Sequence, residues 1–226
     1  MDSKVRDALV SSFAGKGFTL DDAQVSALLA YLSLLEKWNR RVRLTGLRDP
    51  VEIAARLLPE SLDFLRLWEP REGERALDVG AGAGIVGIPI GILFPGVEVV
   101  LVESQGRKAA FLGEVVRELG FGRFQVIGER VEGLAGKMER GGPEKKGVVH
   151  LRAYDTILCR AVAPVSEILP RVWPLLAASG RLLIRQGARA EDELAAARPA
   201  MDSLGSVLLG EAVLEGGRII ALGHGG

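Results

Sequence analysis

Twelve consecutive residues restrict this chain more than any others. Ala76-Leu77-Asp78-Val79-Gly80-Ala81-Gly82-Ala83-Gly84-Ile85-Val86-Gly87 carries an apolar run into an acid and then into four closely spaced glycines. An apolar stretch of helical character, Ile88 to Phe94, follows. Glycines let a chain turn sharply off a strand and let a ligand approach the backbone, which a Cβ would prevent. The start of the next helix offers unpaired backbone N–H groups. A strand, a glycine loop and a helix in this order predict the first unit of a parallel α/β sheet with a nucleotide-type cofactor at the loop. A tight turn of purely structural use is the alternative.

The choice of cofactor rests on one side chain. Gly82-Ala83-Gly84-Ile85-Val86-Gly87 satisfies the dinucleotide pattern G-x-G-x-x-G, and Glu103 lies about 20 residues further on. Asp78, just ahead of Gly80, shifts the balance. A carboxylate there suits a ligand with a sulfonium and an ammonium group better than one with a pyrophosphate. S-adenosylmethionine is such a ligand, leaving S-adenosylhomocysteine as product. Glu103 serves either ligand, since both present ribose hydroxyls.

The texture after residue 74 alternates strand and helix. Apolar runs at 75–79, 97–102, 124–127, 154–158 and 181–184 predict parallel strands with helices on both faces. Runs at 206–214 and 218–222 flank Glu215-Gly216-Gly217 and predict a closing hairpin. The expected fold is therefore α/β: a Rossmann-like, mostly parallel seven-stranded sheet ending in an antiparallel hairpin, as in class I S-adenosylmethionine-dependent methyltransferases. Residues 136–151, with Gly141, Gly142, Pro143 and Gly147, read as a loop.

The first 70 residues read as a helical extension. Thr19-Leu20-Asp21-Asp22 resembles a capping box, and Val25, Leu28, Leu29, Leu32 and Leu35 share one helical face. Asp49-Pro50-Val51-Glu52 starts another helix. Glu69-Pro70-Arg71-Glu72-Gly73 marks a boundary, giving a helical segment 1–70 and a cofactor domain 71–226.

Composition narrows the chemistry. Lys+Arg and Asp+Glu balance at 29 each, so any nucleic-acid contact must come from a local patch. A single cysteine leaves no intramolecular disulfide or Cys-rich zinc cluster. His150 and His224 lie far apart, and no metal site is expected. No secretory signal and no apolar run of spanning length stand out. A soluble, cytoplasmic monomer is expected.

Ligands of open parallel sheets lie beyond the carboxyl ends of the strands. The residues expected there are Asp78, Gly80, Gly82 and Gly84 after the first strand and Glu103-Ser104 after the second. Arg130 to Glu132 follow the third, with Glu132 or its backbone near an adenine, and Cys159-Arg160 follow the fourth. Arg160, emerging from an apolar strand, is the candidate for electrostatic positioning; a salt bridge to a carboxylate such as Asp78 is the structural alternative. Cys159 reads as core packing rather than a nucleophile, because a covalent mechanism needs a thiolate and a way to resolve the adduct. No Asn/Asp-Pro-Pro-aromatic grip on an exocyclic amine follows the fourth strand. One acceptor matches these absences. Guanine N7 has a free lone pair and no proton, so its methylation needs positioning and electrostatics rather than a general base.

An RNA contact is suggested by residues 37–48. Lys37, Arg40, Arg41, Arg43 and Arg48 occur there without an acid, and Trp38 could stack on a base. A solvated helix end with Trp38 buried is the alternative. Lys145-Lys146 is a lesser candidate.

These residues together resemble the RsmG (GidB) methyltransferases. Trp38-Asn39, Leu44-Thr45 and Arg48-Asp49-Pro50 resemble that family's first signature, and Asp78-Val79-Gly80 through Gly87-Ile88-Pro89 its cofactor loop. Ser104, Gly106-Arg107-Lys108, Phe111-Leu112, Arg130-Val131-Glu132, Arg160-Ala161 and Gly180-Arg181 continue the resemblance, from about residue 20 to Arg218. It implies methyl transfer from S-adenosylmethionine to a guanine N7 in 16S RNA of the small ribosomal subunit, with Gly80, Ile85, Val131, Glu132 and Arg160 lining the cofactor site.

The chain also departs from the family pattern. Arg56-Leu57 and Pro59-Glu60-Ser61 stand where the family reads Arg-His and Leu-Asp-Ser, Gln186 replaces a Lys, and Ile219 replaces a His. These positions are expected to face the RNA or the acceptor. A methyltransferase with a small-molecule or protein acceptor, a non-catalytic RNA-binding relative and a dinucleotide oxidoreductase are the rival readings.

Overall fold

Strands buried on both faces read as continuous apolar runs and pair in parallel. In the computed structural model, which describes residues 3–120, 123–139, 153–160 and 162–225, five parallel strands make up most of the sheet. They are β1 (Arg75–Val79), β2 (Glu98–Val102), β3 (Phe124–Ile127), β4 (Tyr154–Arg160) and β5 (Leu176–Gln186). β6 (Ser206–Leu214) and β7 (Gly217–His224) form the expected hairpin, and β7 pairs antiparallel with β5. The order β3-β2-β1-β4-β5-β7-β6 reverses direction between β1 and β4, the place where open sheets leave a crevice.

Three strands are longer than the apolar runs predicted, β7 by one residue before its run and two after it. β4 continues through Cys159 and Arg160, which are its last residues and not part of the loop beyond it. β5 begins at Leu176 and reaches Gln186, with a register shift between Tyr154 and Thr156 of its partner.

The helices form two layers. On one face α1 (Ser3–Ala14), α2 (Asp22–Asn39), α4 (Gly87–Leu93) and α5 (Gly106–Leu119) cover the sheet. Between α2 and β1 lies a helical run that starts as α3 (Pro50–Glu52), capped by Asp49, and becomes a π-helical turn (Ile53–Leu57) and then a 3-10 helix (Leu58–Arg66). Pro59, at the start of the 3-10 run, has no N–H to give to an i−4 carbonyl, which disfavours continuation of a regular α-helix there. α6 (Val131–Glu139), α7 (Val165–Val172) and α8 (Ala190–Leu204) cover the other face. α6 shows that residues 136–139 are helical, not loop. The rest of that predicted loop, with Lys145, Lys146 and His150, lies outside the described residues, as does Ala161.

The cap of α2 lies two residues beyond the predicted one. Asp21 accepts from the Gln24 N–H at 2.8 Å and Gln24 accepts from the Asp21 N–H at 3.0 Å, a capping box that leaves out Thr19. From this start α2 buries Leu28, Tyr31, Leu32 and Leu35, each worth about 1.5–3 kcal/mol of transfer free energy. They join Ile88, Phe111, Leu158 and Leu183 in one apolar cluster, so the interior is continuous across residue 70. No described helix is long and apolar enough to cross a membrane.

Candidate cofactor and acceptor site

The glycine loop is held in place by the side chains around it. Gly80, Gly82 and Gly84 have φ of +64°, +59° and +76°, a region that other residues rarely enter. The loop's N–H groups find acceptors at both ends. Gly82 donates to Glu103 Oε2 at 2.9 Å, Gln105 donates to Glu103 Oε1 at 2.7 Å, and Gly87 donates to Asp78 Oδ2 at 2.8 Å. From the helical segment, the Tyr31 hydroxyl donates to the Ala83 carbonyl at 2.6 Å. Burial, with the Asp78 charge, pushes the Tyr31 pKa up and keeps it a donor. Tyr31→Phe leaves that buried carbonyl without its partner, an expected loss of about 1–2 kcal/mol in unfolding free energy. Denaturant titration checks the loss, and binding of S-adenosylhomocysteine is expected to loosen several-fold with it.

Beside the loop lies a cavity of about 320 Å³ at the carboxyl ends of β1 and β4. It brings together Asp78, Gly80, Gly82, Ile85 and Arg160 from the expected set. Gly84 is turned into the core, where an added Cβ would lie 2.6 Å from Ile88 Cγ1. Glu103 is buried behind the loop, both its oxygens engaged by backbone N–H groups, and Ser104 is exposed. Val131 packs in the core on the α6 side, and Glu132 is turned to Arg171 at 3.4 Å. The cavity also contains Leu44, Thr45, Gly46 and Leu57, to which sequence reasoning gave no cofactor role. Their signal was present in the Asn39 signature. Its side chain accepts from the N–H groups of Leu44 and Thr45 at 2.9 and 3.1 Å and donates to the Leu47 carbonyl at 2.8 Å, folding residues 40–47 over the cavity.

Asp78 is buried at 3% exposure. Burial pushes its pKa up to about 7, against the Gly87 N–H and the Arg160 charge, which pull it down; the nearby Glu103 also raises it. Arg160 has a carboxylate partner, but the partner is Glu60, not Asp78: its Nε and Nη2 both lie 2.6 Å from Glu60 Oε2. Arg185, in register beside Arg160, has Nη2 at 3.7 Å from Glu60 Oε1 and Nε at 3.4 Å from Asp63 Oδ2, and Lys16 pairs with Asp63 as well. Glu60 and Arg185 also line a larger cavity of about 910 Å³ with Lys16, Asp63 and Arg66. The ion cluster therefore links the two cavities.

The four departures from the family pattern occupy different environments. Leu57 lines the smaller cavity and Glu60 holds Arg160. Gln186 faces the opposite side of the sheet from Arg185 and donates to the Ala163 carbonyl at 3.4 Å. Ile219 is fully buried in the core, which overturns the expectation that this position faces RNA or the acceptor.

The basic segment divides in two. Lys37 meets Glu114 at 3.4 Å and Arg40 meets Glu36 at 2.6 Å. Trp38 packs on Phe111 with ring centroids 5.8 Å apart and donates its indole N–H to Glu114 at 3.1 Å, so it is not a free stacking platform. Arg41, Arg43 and Arg48 are exposed on the segment that Asn39 holds over the cavity.

Other chemistries find little support. Burial pushes the Cys159 thiol up, away from the thiolate a nucleophile requires. His224 packs against Trp173 with ring centroids 4.3 Å apart and the planes tilted by 44°. Among the described residues no cluster of His, Cys, Asp or Glu could hold a metal ion.

Comparison with known proteins gives matches in both sequence and fold. Residues 24–216 match the family model GidB, rRNA small subunit methyltransferase G. The ribosomal RNA small subunit methyltransferase G of Alkalilimnicola ehrlichii is 38% identical over 180 residues, covering 80% of this chain and 74% of the relative. That of Nitrosococcus oceani is 38% identical over 196 residues, covering 87% and 84%. Among solved structures, MtNAS in complex with MTA and tNA aligns with a TM-score of 0.58 at 18% identity, covering 99% of this chain and 87% of that one. Aeropyrum pernix fibrillarin with natively bound S-adenosyl-L-methionine aligns at 0.56 and 16% identity, covering 72% and 73%. These two likenesses concern the fold alone.

Proposed function

Since the chain belongs to the rRNA small subunit methyltransferase G family, we propose that it transfers a methyl group from S-adenosylmethionine to N7 of a guanosine in 16S RNA of the small ribosomal subunit. The observation that carries this reading is the buried Asp78 carboxylate in a glycine-walled cavity at the carboxyl edge of the parallel sheet. The residues present fit the cofactor. Asp78 offers an anion to an ammonium group, and a Cβ built on Gly82 would meet only the Gly80 carbonyl at 3.6 Å, so that face of the loop is open to a ligand.

When bound, the cofactor supplies an electrophilic methyl group on its sulfonium. Asp78 and the backbone of residues 80–85 hold it, Leu44 to Gly46 and Leu57 exclude water, and Glu103 stiffens the loop from behind. Arg160 lies at the cavity and orients the acceptor. Guanine N7 brings its own lone pair, so no side chain has to remove a proton, in keeping with a cavity that no histidine lines among the described residues. Residues 1–70 supply RNA contacts and residues 71–226 the cofactor domain. The protein acts in the cytoplasm, as a monomer.

The test is transfer of labelled methyl from S-adenosylmethionine to purified 30S subunits and to naked 16S RNA, both from cells lacking this methylation. Label recovered as 7-methylguanosine is the expected result; bound cofactor with no label on either RNA overturns the acceptor. Reversing Arg41, Arg43 and Arg48 to glutamate is expected to lower kcat/KM for RNA by roughly 10- to 100-fold at low salt and to flatten the salt dependence by up to about three phosphate contacts. Binding of S-adenosylhomocysteine by that variant serves as the control for an intact cofactor site. Unchanged kcat/KM would remove this segment from the RNA contact.

A further inference from the structure

We propose that Glu60 is a positioning residue that keeps the Arg160 guanidinium off the Asp78 carboxylate and so leaves that carboxylate to the cofactor's ammonium group. The inference rests on the cofactor reading above and not on the identity of the acceptor.

Asp78 and Arg160 belong to the same cavity and the same face of the sheet. Asp78 pairs in register with Leu158, and Arg160 is two residues further along β4, so both side chains project to one side. A buried carboxylate beside a cation on the neighbouring strand is the ordinary recipe for an ion pair. The pair is not made. Among the described residues Asp78 takes the Gly87 N–H, while Arg160 turns both Nε and Nη2 to Glu60.

Glu60 has a second neighbour that makes this turn necessary. Arg160 and Arg185 are directly opposed on β4 and β5, where like charges repel. The Glu60 carboxylate stands between them, with Oε2 on Arg160 and Oε1 toward Arg185 at 3.7 Å. Asp63 holds Arg185 and Lys16 from the other side, leaving Glu60 as the carboxylate that engages Arg160. Remove the Glu60 charge and Arg160 is repelled by Arg185 toward Asp78. An internal guanidinium would then compete with the ligand's ammonium for one carboxylate.

Calorimetric titration of S-adenosylhomocysteine, which keeps the amino-acid end of the cofactor, into the full chain tests this. Glu60→Gln is expected to weaken binding about tenfold. Glu60→Gln with Arg160→Ala is expected to bind more tightly than Glu60→Gln alone and about as tightly as Arg160→Ala, because the competitor is gone. Glu60 acting only as a structural anchor predicts losses that add, and a double variant no tighter than Glu60→Gln overturns the proposal, as does wild-type affinity in Glu60→Gln. Glu60→Asp keeps the charge on a shorter side chain; should the Gln variant not fold, the same ordering at smaller amplitude is expected with Asp. Relief by Arg160→Ala in a protein that labels neither RNA would support the Glu60 role while overturning the acceptor. A wild-type chain that binds no S-adenosylhomocysteine overturns the cofactor reading and this proposal with it.

Discussion

Asp78→Asn is expected to weaken S-adenosylhomocysteine binding about 100-fold at pH 8, since a charge-assisted contact is replaced by a neutral one. The wild-type protein is expected to approach that weakness by acidification alone. With the Asp78 pKa pushed up to about 7 by burial, the carboxyl is increasingly protonated below neutrality and offers no charge to an ammonium group. Affinity should fall by about tenfold per pH unit below 7 and level off above it, while the Asn variant stays flat. Titration between pH 5.5 and 8 reads both. A wild-type affinity constant over that range would show that Asp78 does not face the ligand's charge.

Stability should move the opposite way. The native acid keeps its proton to higher pH than the unfolded chain, so between about pH 4 and pH 7 the native state binds more protons and unfolding becomes easier as pH rises. Over a pKa raised from 3.8 to about 7, the cost reaches about 4 kcal/mol above neutrality. Asp78→Asn removes the buried charge and keeps an oxygen for the Gly87 N–H. Its Tm at pH 8 should therefore equal or exceed that of the wild type while binding collapses.

Gly84→Val should act through the fold instead. Gly84 has φ +76°, and a Cβ there would lie 2.6 Å from Ile88 Cγ1 and 2.9 Å from Leu112 Cδ2. A branched residue in that region costs about 1–3 kcal/mol, and overpacking a filled core costs about 1–3 kcal/mol more. Together they predict a Tm lower by roughly 10 °C in a chain of this size. Gly82→Ala is the contrast, because its Cβ has room and enters the cavity. At φ +59° it carries backbone strain but no overpacking, so it should lose less stability than Gly84→Val while losing cofactor affinity. Equal Tm losses in the two variants would contradict this division of labour.

The alternation of strand and helix, the hairpin and the glycine loop were legible in the chain because each depends on neighbours a few residues apart. The same holds for the Asp49 cap and for Asp78 ahead of the loop. What escaped depends on distance. Glu60 holds Arg160 across 100 residues of sequence, and no local pattern announces such a pair. Cys159-Arg160 read as the exit from β4 because a charge ends an apolar run, yet the strand continues since Glu60 accommodates that charge. Glu132, or the backbone beside it, read as an adenine contact from its place after β3; its side chain is turned to Arg171 on α7, a partner distant in sequence. Ile219 shows the reverse error: a position matched to a surface histidine is in this chain wholly core.

The order of synthesis gives the Tyr31 contact another meaning. α2 leaves the ribosome before any strand of the sheet exists, and the faces of Tyr31 and Trp38 that end against Phe111 have nothing to cover them until α5 has been made. The cavity closes later still, once Arg160 arrives. A topology dominated by such distant contacts folds slowly and leaves its first helices exposed to other apolar surfaces meanwhile. Slowing translation between residues 40 and 110 should therefore lower the soluble yield of this chain more than slowing it after residue 160.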